Sequence, residues 1–265
     1  MYTDRDFVNV DFIPGGADYP DRWEAEARVY REQHAAIGRA RLNVAYGGDA
    51  RQKLDIFHPA GKAEGLVFFI HGGYWLRFDR GVWSHFSKGL MDRGWAVALP
   101  SYTLAPEARI GQMTREMSQA LEAAAQLVPG PICLTGHSAG GHLSARLGCR
   151  DVAIAPEVRA RVKKIVPISP LTDLRAMLSL QMNAQLQLDA AEAAAESPVL
   201  HAAPDADVTV WVGAEERPVF LDQAIALRDA WGCNLRVDPG RHHFDVIDGL
   251  QEAESPIVAE LLAGV

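Results

Sequence analysis

Cysteine is scarce in this sequence, and positive charge is in deficit. The three cysteines, Cys133, Cys149 and Cys233, are odd in number and have no CxxC spacing. That argues against a disulfide framework or a thiolate metal centre. The first two fall in apolar stretches and read as reduced, buried thiols. Lysine and arginine number 26 against 34 aspartates and glutamates, a net charge of −8. Without a basic excess, neither nucleic acid nor an anionic membrane surface is an expected partner. No apolar run approaches the length of a membrane span. The opening "MYTDRDFVNVDF" has no basic region followed by an apolar one, so no secretory signal is read there and a cytoplasmic location is expected. Internal repeats, low-complexity linkers and blocks of like charge are also missing. The 265 residues, 48% apolar, are therefore expected to form one domain with a sizeable core.

What is present is an alternation. Asp21 to Gly38 reads as a helix with Asp21 at its N-cap, and "LNVAYG" with "QKLDIFHP" reads as a hairpin at a sheet edge. From there apolar strands and helices follow in turn. "GLVFFIHGG" leads to a helix over "GVWSHFSKGLMDRG", and "WAVALPSY" leads to the long helix "IGQMTREMSQALEAAAQLV". "ICLT" leads to a third helix, "VKKIVPISP" is a fourth strand, and "DVTVWVG" precedes the helix "PVFLDQAIALRDAWG". The strand "NLRVDPG" and a helix from about Glu254 close the chain. Continuous apolar strands between helices predict an α/β fold, a mostly parallel sheet covered on both faces. Residues 171–204 interrupt the pattern with a stretch rich in Leu, Met and Ala. It is too long for a plain connection and is expected to form a small helical cap over the carboxyl ends of the strands.

In such a sheet function gathers where strands end. The segment "ICLTGHSAGGHLSARLG" places Ser138 between Gly136 and Gly140 at a strand-to-helix turn. This is the G-x-S-x-G form, in which a strained turn exposes a nucleophilic serine hydroxyl. The competing reading is a serine that merely caps the following helix. After "LVFFI" come His71, Gly72, Gly73, Tyr74 and Trp75. Glycines at a strand exit can present unobstructed N–H groups, and with the N–H of Ala139 they would form an oxyanion hole. His71 is expected to brace that loop, and His142, behind the turn, to pack or bond locally. After "VTVWV" come Glu215 and Glu216, either of which could orient a histidine. After "LRV" come His242 and His243, either of which could serve as general base. Adjacent loop histidines with no further ligand at zinc spacing do not make a metal site. The chain order of serine, then acid, then histidine is that of α/β-hydrolases.

Taken together, "HGGYW", "YTLAPEARIGQM", "GHSAGGHL" and "RHHFDVIDGL" resemble the kynurenine formamidase (arylformamidase) branch of the α/β-hydrolases, from about Asn43 to the C-terminus. They are more loosely similar to the hormone-sensitive-lipase-like esterases. The resemblance implies a catalytic triad of Ser138, Glu216 and His243. Glu216 is chosen over Glu215 by its position three after Gly213, with Phe220 and Gln223 further on. It also implies an oxyanion hole from Gly72, Gly73 and Ala139, no cofactor, and hydrolysis of a small-molecule ester or amide. Substrate selection is expected to depend on the cap and on Tyr74 and Trp75. An arginine facing a substrate carboxylate would be Arg77, Arg217 or Arg241. A small-acyl esterase or thioesterase is the alternative within enzymes, and a non-catalytic ligand receptor the alternative outside them. A homodimer through an edge strand or helix is the protein partner expected.

Overall fold

The computed structural model describes residues 2–265. One eight-stranded sheet forms its centre. The strands are β1 (Ala40–Ala45), β2 (Lys53–Phe57), β3 (Leu66–Ile70), β4 (Ala96–Pro100), β5 (Ile132–His137), β6 (Val162–Ile168), β7 (Asp207–Gly213) and β8 (Asn234–Asp238). Their spatial order is β1-β2-β4-β3-β5-β6-β7-β8. The expected hairpin is there: β1 pairs antiparallel with β2, which also runs antiparallel to β4. The remaining pairs are parallel.

Alternation along each central strand divides the core in two. On β3, Leu66, Phe68 and Ile70 face one layer while Val67 and Phe69 face the other. The first layer is closed by α2 (Ile110–Leu127), α3 (Ala139–Gly148) and α4 (Pro218–Trp231), through Met113, Met117, Leu143 and Phe220. The second is closed by α1 (Tyr19–Ala36) and α5 (Pro256–Leu261), through Trp23, Tyr30, Ile257 and Leu261. Helices on both faces leave the central strands buried throughout, so their apolar runs need no polar side. No helix among the described residues is long and apolar enough to cross a membrane.

Three expectations need correction. A short helix, Asp4–Phe7, precedes the helix expected from Asp21, and the latter starts at Tyr19, two residues early, because Pro20 sits well in a first helical turn. The segment Gly81–Gly94 is not one helix. It is two tight 3-10 turns, Arg80–Val82 and Ser84–Ser87, followed by a short helix, Lys88–Asp92. Asp79 accepts from the N–H of Gly81 and starts the first turn. Trp83 and Phe86 both pack on Trp23, with ring centroids 5.0 and 6.4 Å from it. Residues 171–204 do contain helical pieces, Leu174–Met177, Asn183–Leu186, Ala190–Ala195 and Pro198–Leu200. They pack sideways, however. Glu192 pairs with Arg109 ahead of α2, Glu196 with Arg146 on α3, and Thr172 with Gln223 on α4.

The strand order reverses at β3: the chain goes outward to β4, then crosses back to β5. The carboxyl ends of β3 and β5 therefore open onto the crevice where α/β sheets place their ligands.

Candidate active site

Ser138 is at the end of β5 with φ 56° and ψ −115°, a backbone conformation that L-residues rarely hold. Its N–H donates to the carbonyl of Ile168 (2.9 Å) and its carbonyl accepts from His142 (2.9 Å), so strand and helix both hold the turn in place. Its hydroxyl makes no capping bond to α3. The capping reading is thereby set aside. The flanking glycines are required by space: a Cβ on Gly140 would lie 2.0 Å from the carbonyl oxygen of Ile70, and one on Gly136 would lie 2.4 Å from that of Gly140. Ala139 is the first residue of α3, where an N–H has no acceptor within the helix and the helix dipole is positive.

The loop after β3 is equally constrained. Gly73 has φ +115°, and Tyr74, Trp75 and Phe78 are all left-handed despite their bulk. Such clustered strain persists only where surrounding structure enforces it. His71 contributes to that by donating from Nδ1 to the Gly72 carbonyl (2.8 Å) and stacking on Tyr102 at 4.4 Å. It braces the loop as expected. The turn sends neighbouring side chains apart. Tyr74 lines the cavity beside Ser138 and donates its hydroxyl to the carbonyl of Phe7 (2.9 Å). Trp75 does not reach the cavity. It is buried beneath the loop, its ring 5.3 Å from that of His142, and the expectation that it contacts substrate is corrected. His142 in turn donates to the carbonyl of Glu196 (2.7 Å), a bond distant in sequence rather than local. Gly73 borders the cavity, whereas Gly72 lies behind it, against the backbone of His137.

The acid and the base meet at the ends of β7 and β8. Nδ1 of His243 lies 2.6 Å from Oε2 of Glu216, whose side chain is fully buried. The other oxygen, Oε1, accepts from the N–H of Gly213 (2.9 Å) and from the hydroxyl of Ser169. Glu215 is exposed, and only its backbone is engaged, donating to the carbonyl of Arg241 (2.9 Å). The imidazole of His243 is sandwiched by Phe220 (4.1 Å) and His137 (4.6 Å), while its carbonyl accepts from Nε2 of His137 (2.8 Å). His242 faces away, toward Asp245 and the hydroxyl of Tyr19. Gln223 proves to be a loop tie: its Oε1 accepts from the N–H groups of Thr172 and Asp173, each at 2.7 Å.

Ser138 and His243 line one cavity of about 180 Å³, together with Gly73, Tyr74, Arg77, Phe78, His137 and Phe244. Its outer wall was not anticipated. Val10, Gly16, Ala17, Pro20 and Trp23 supply it, with Trp83 from the broken helix, and no lining residue comes from 171–204. The N-terminal segment, not the expected cap, roofs the serine. Its only signal in the sequence is the breaker cluster "IPGGADYP" ahead of α1, which reads as an ordinary loop. Ser169, left-handed at the end of β6, is the other residue that sequence reasoning missed.

Burial sets the charge of this region. It pushes His71, His85 and His142 down to about 4, and His137 well below its ordinary range. Each stays neutral in the native protein but takes up a proton on unfolding below about pH 6.5, costing about 1.4 kcal/mol per pH unit. Asp248 works in the opposite sense. Burial, then the charge of Asp245, raises it to about 6, so native Asp248 gains its proton first as pH falls. Four histidines outweigh one carboxyl, and Tm is expected to fall steadily from pH 6.5 to 4.5. Asp248→Asn should steepen that fall. Calorimetry across the interval checks both, and a flat profile would contradict them.

Comparison with known proteins bears on the family and the fold. Residues 54–227 match the family model described as BD-FAE. A protein of Silicibacter sp. TM1040, provisionally described as a thioesterase, is 49% identical, with a TM-score of 0.96 over 98% of each chain. A kynurenine formamidase of Salmo salar is 26% identical over 87% of this chain and 84% of its own. Esterase B of Lactobacillus rhamnosis, at 18% identity, shares the fold, with a TM-score of 0.67 over 91% of this chain and 93% of that one. The architecture is that of the α/β-hydrolases.

Proposed function

This chain belongs to the BD-FAE family, and from that premise we propose that it is a serine hydrolase cleaving a carboxylic ester or an aryl-formamide through an acyl-enzyme on Ser138. The observation that carries the reading is the 2.6 Å contact between the buried carboxylate of Glu216 and Nδ1 of His243, a histidine that lines the same cavity as Ser138. A buried carboxylate on Nδ1 keeps the proton there and leaves Nε2 free to accept one. His243 takes the proton of the Ser138 hydroxyl as the oxygen attacks the substrate carbonyl. The N–H groups of Gly73 and Ala139 receive the oxyanion, each worth about 3 kcal/mol in a dry site. Collapse of the intermediate expels the alcohol or amine, which leaves with the proton held by His243. Water, deprotonated by the same imidazole, then attacks the acyl-serine and releases the acid. No step calls for a cofactor.

The aromatic rim of Trp23, Trp83, Phe78 and Phe244 suits a flat leaving group, and the small cavity suits a short acyl group. The formamidases of Salmo salar and Danio rerio, both 26% identical, support the formamide. The Silicibacter relative supports a thioester as second reading.

The test is kcat/KM for N-formyl-L-kynurenine, p-nitrophenyl butyrate and butyryl-coenzyme A, with the Ser138→Ala protein as blank. The expected result is serine-dependent turnover of the first two, with the formamide preferred. Preference for butyryl-coenzyme A over both would move the assignment to thioesterase. Turnover of none would remove the hydrolase reading.

A further inference from the structure

The cavity at Ser138 does not end at its rim. It shares Arg77 and Phe78 with an adjoining surface groove of about 880 Å³. On a chain of net charge −8, the lining of this groove is the reverse: Arg28, Arg31, Arg51, Arg77 and Arg80 against Glu24 and Asp79. Several of these arginines have structural work. Arg31 and Arg80 both hold the buried carboxylate of Asp55. Arg51 donates to the carbonyls of Tyr102 (2.7 Å) and Phe78 (2.5 Å), bonds that satisfy its donors but leave its charge in place.

Arg77 is different. It is exposed, has no ion-pair partner among the described residues, and is steadied only by the rings of Tyr74 (5.6 Å) and Phe78 (5.5 Å). Its backbone N–H donates to the carbonyl of Gly73 (3.0 Å), so the residue that borders the nucleophile also sets the position of the cation. The two other arginines near the strand ends do not serve. Arg217 lies over the ring of Phe12 at 3.7 Å and near Asp6, and Arg241 pairs with Asp245; neither lines the cavity.

We propose that Arg77 is a specificity-determining residue: it receives an anionic group, carboxylate or phosphate, on the part of the substrate that leaves the Ser138 cavity toward the arginine-lined groove. The inference rests on Ser138 being the nucleophile. A guanidinium already oriented by two rings forms a charge-assisted contact without first breaking an ion pair. With Asp55 and Glu32 counted beside Glu24 and Asp79, the groove still keeps a small excess of positive charge on a chain that is negative overall, which favours an anionic group there.

The test compares two substrates that carry an anionic group, one of them a zwitterion with no net charge, with one substrate that carries no charge, at low salt. N-formyl-L-kynurenine carries the anion as a carboxylate, butyryl-coenzyme A as phosphates, and p-nitrophenyl butyrate carries none. The readout is the ratio of anionic to neutral kcat/KM. Arg77→Gln should lower that ratio about tenfold for at least one anion, mainly through KM, and Arg77→Lys should restore part of it. The decline of that substrate's kcat/KM with added salt should be shallower in Arg77→Gln. A drop confined to N-formyl-L-kynurenine identifies the anion as carboxylate, and one confined to butyryl-coenzyme A identifies it as phosphate. Unchanged ratios, or a wild type that turns over only the neutral ester, overturn the role of Arg77. If Ser138→Ala retains turnover, the failure lies in the nucleophile assignment instead.

Discussion

Ser138→Ala is expected to lower kcat by roughly 10⁴- to 10⁶-fold, with Tm within a few degrees of wild type. The large effect follows from the lost covalent step: without the hydroxyl, the imidazole and the oxyanion donors retain only a small residual advantage over water. The small effect follows from the local bonding. The hydroxyl makes no capping bond to α3, while the bonds that hold the turn, to Ile168 and from His142, are backbone and survive in alanine. Alanine pays about the same penalty as serine for a φ of 56°, since both carry a Cβ. Kinetics and calorimetry on the same preparation are sufficient. Activity above about one per cent would reject Ser138 as nucleophile. A large fall in Tm would mean that the turn depends on the hydroxyl. A fluorophosphonate probe should label the wild type and not the variant, which also distinguishes an enzyme from a receptor built on this fold.

The parts of this site that were legible in the sequence are those where backbone crowding or strand burial constrains residue type. β3 and β5 are covered on both faces, so they show as unbroken apolar runs, and the glycines at their ends mark where another backbone passes close. The parts that were not legible depend on which way a side chain points in an irregular loop. Tyr74 and Trp75 are adjacent and equally aromatic, yet consecutive left-handed residues send one into the cavity and the other beneath it. No periodicity rule covers that geometry. Ser169 acts through a single hydroxyl that carries no pattern, and the roof at Val10–Trp23 is brought over the serine by tertiary contacts. Among these are the bond from Tyr74 to the Phe7 carbonyl and that from the Gln181 N–H to Asp4. The Gly81–Gly94 segment reads as a helix, but its first half, with Gly81, Val82, Ser84, His85 and Ser87, is poor in helix formers, and a regular helix begins only at Lys88. Phe220 and Gln223 were markers of register in the sequence and have definite tasks in the fold. One ring flanks the imidazole, and one amide ties the loop that follows Ser169.

Glu216→Gln is expected to reduce kcat about 10³- to 10⁴-fold, and Glu215→Gln to leave it within about twofold. The argument depends on the direction in which the new amide must lie. Oε1 of Glu216 accepts two hydrogen bonds, from the N–H of Gly213 and the hydroxyl of Ser169. In glutamine only the carbonyl oxygen can fill that position, because an NH₂ group there would face the Gly213 donor. The NH₂ is then forced to the place of Oε2, 2.6 Å from Nδ1 of His243. Two donors cannot share that contact, so the imidazole moves its proton to Nε2, the nitrogen that must accept from Ser138. The variant keeps its shape but holds its base in the wrong tautomer. Because a wrong tautomer impairs chemistry rather than docking, the loss should fall on kcat with KM little changed. Glu215, exposed and engaged only through its backbone, offers no such route. Ser169→Ala in the Glu216→Gln background adds a further check. The Gly213 N–H, which by itself fixes the amide, remains, and the lost rate should not return. Equal losses for Glu215→Gln and Glu216→Gln would show that the carboxylate beside His243 contributes packing rather than tautomer control.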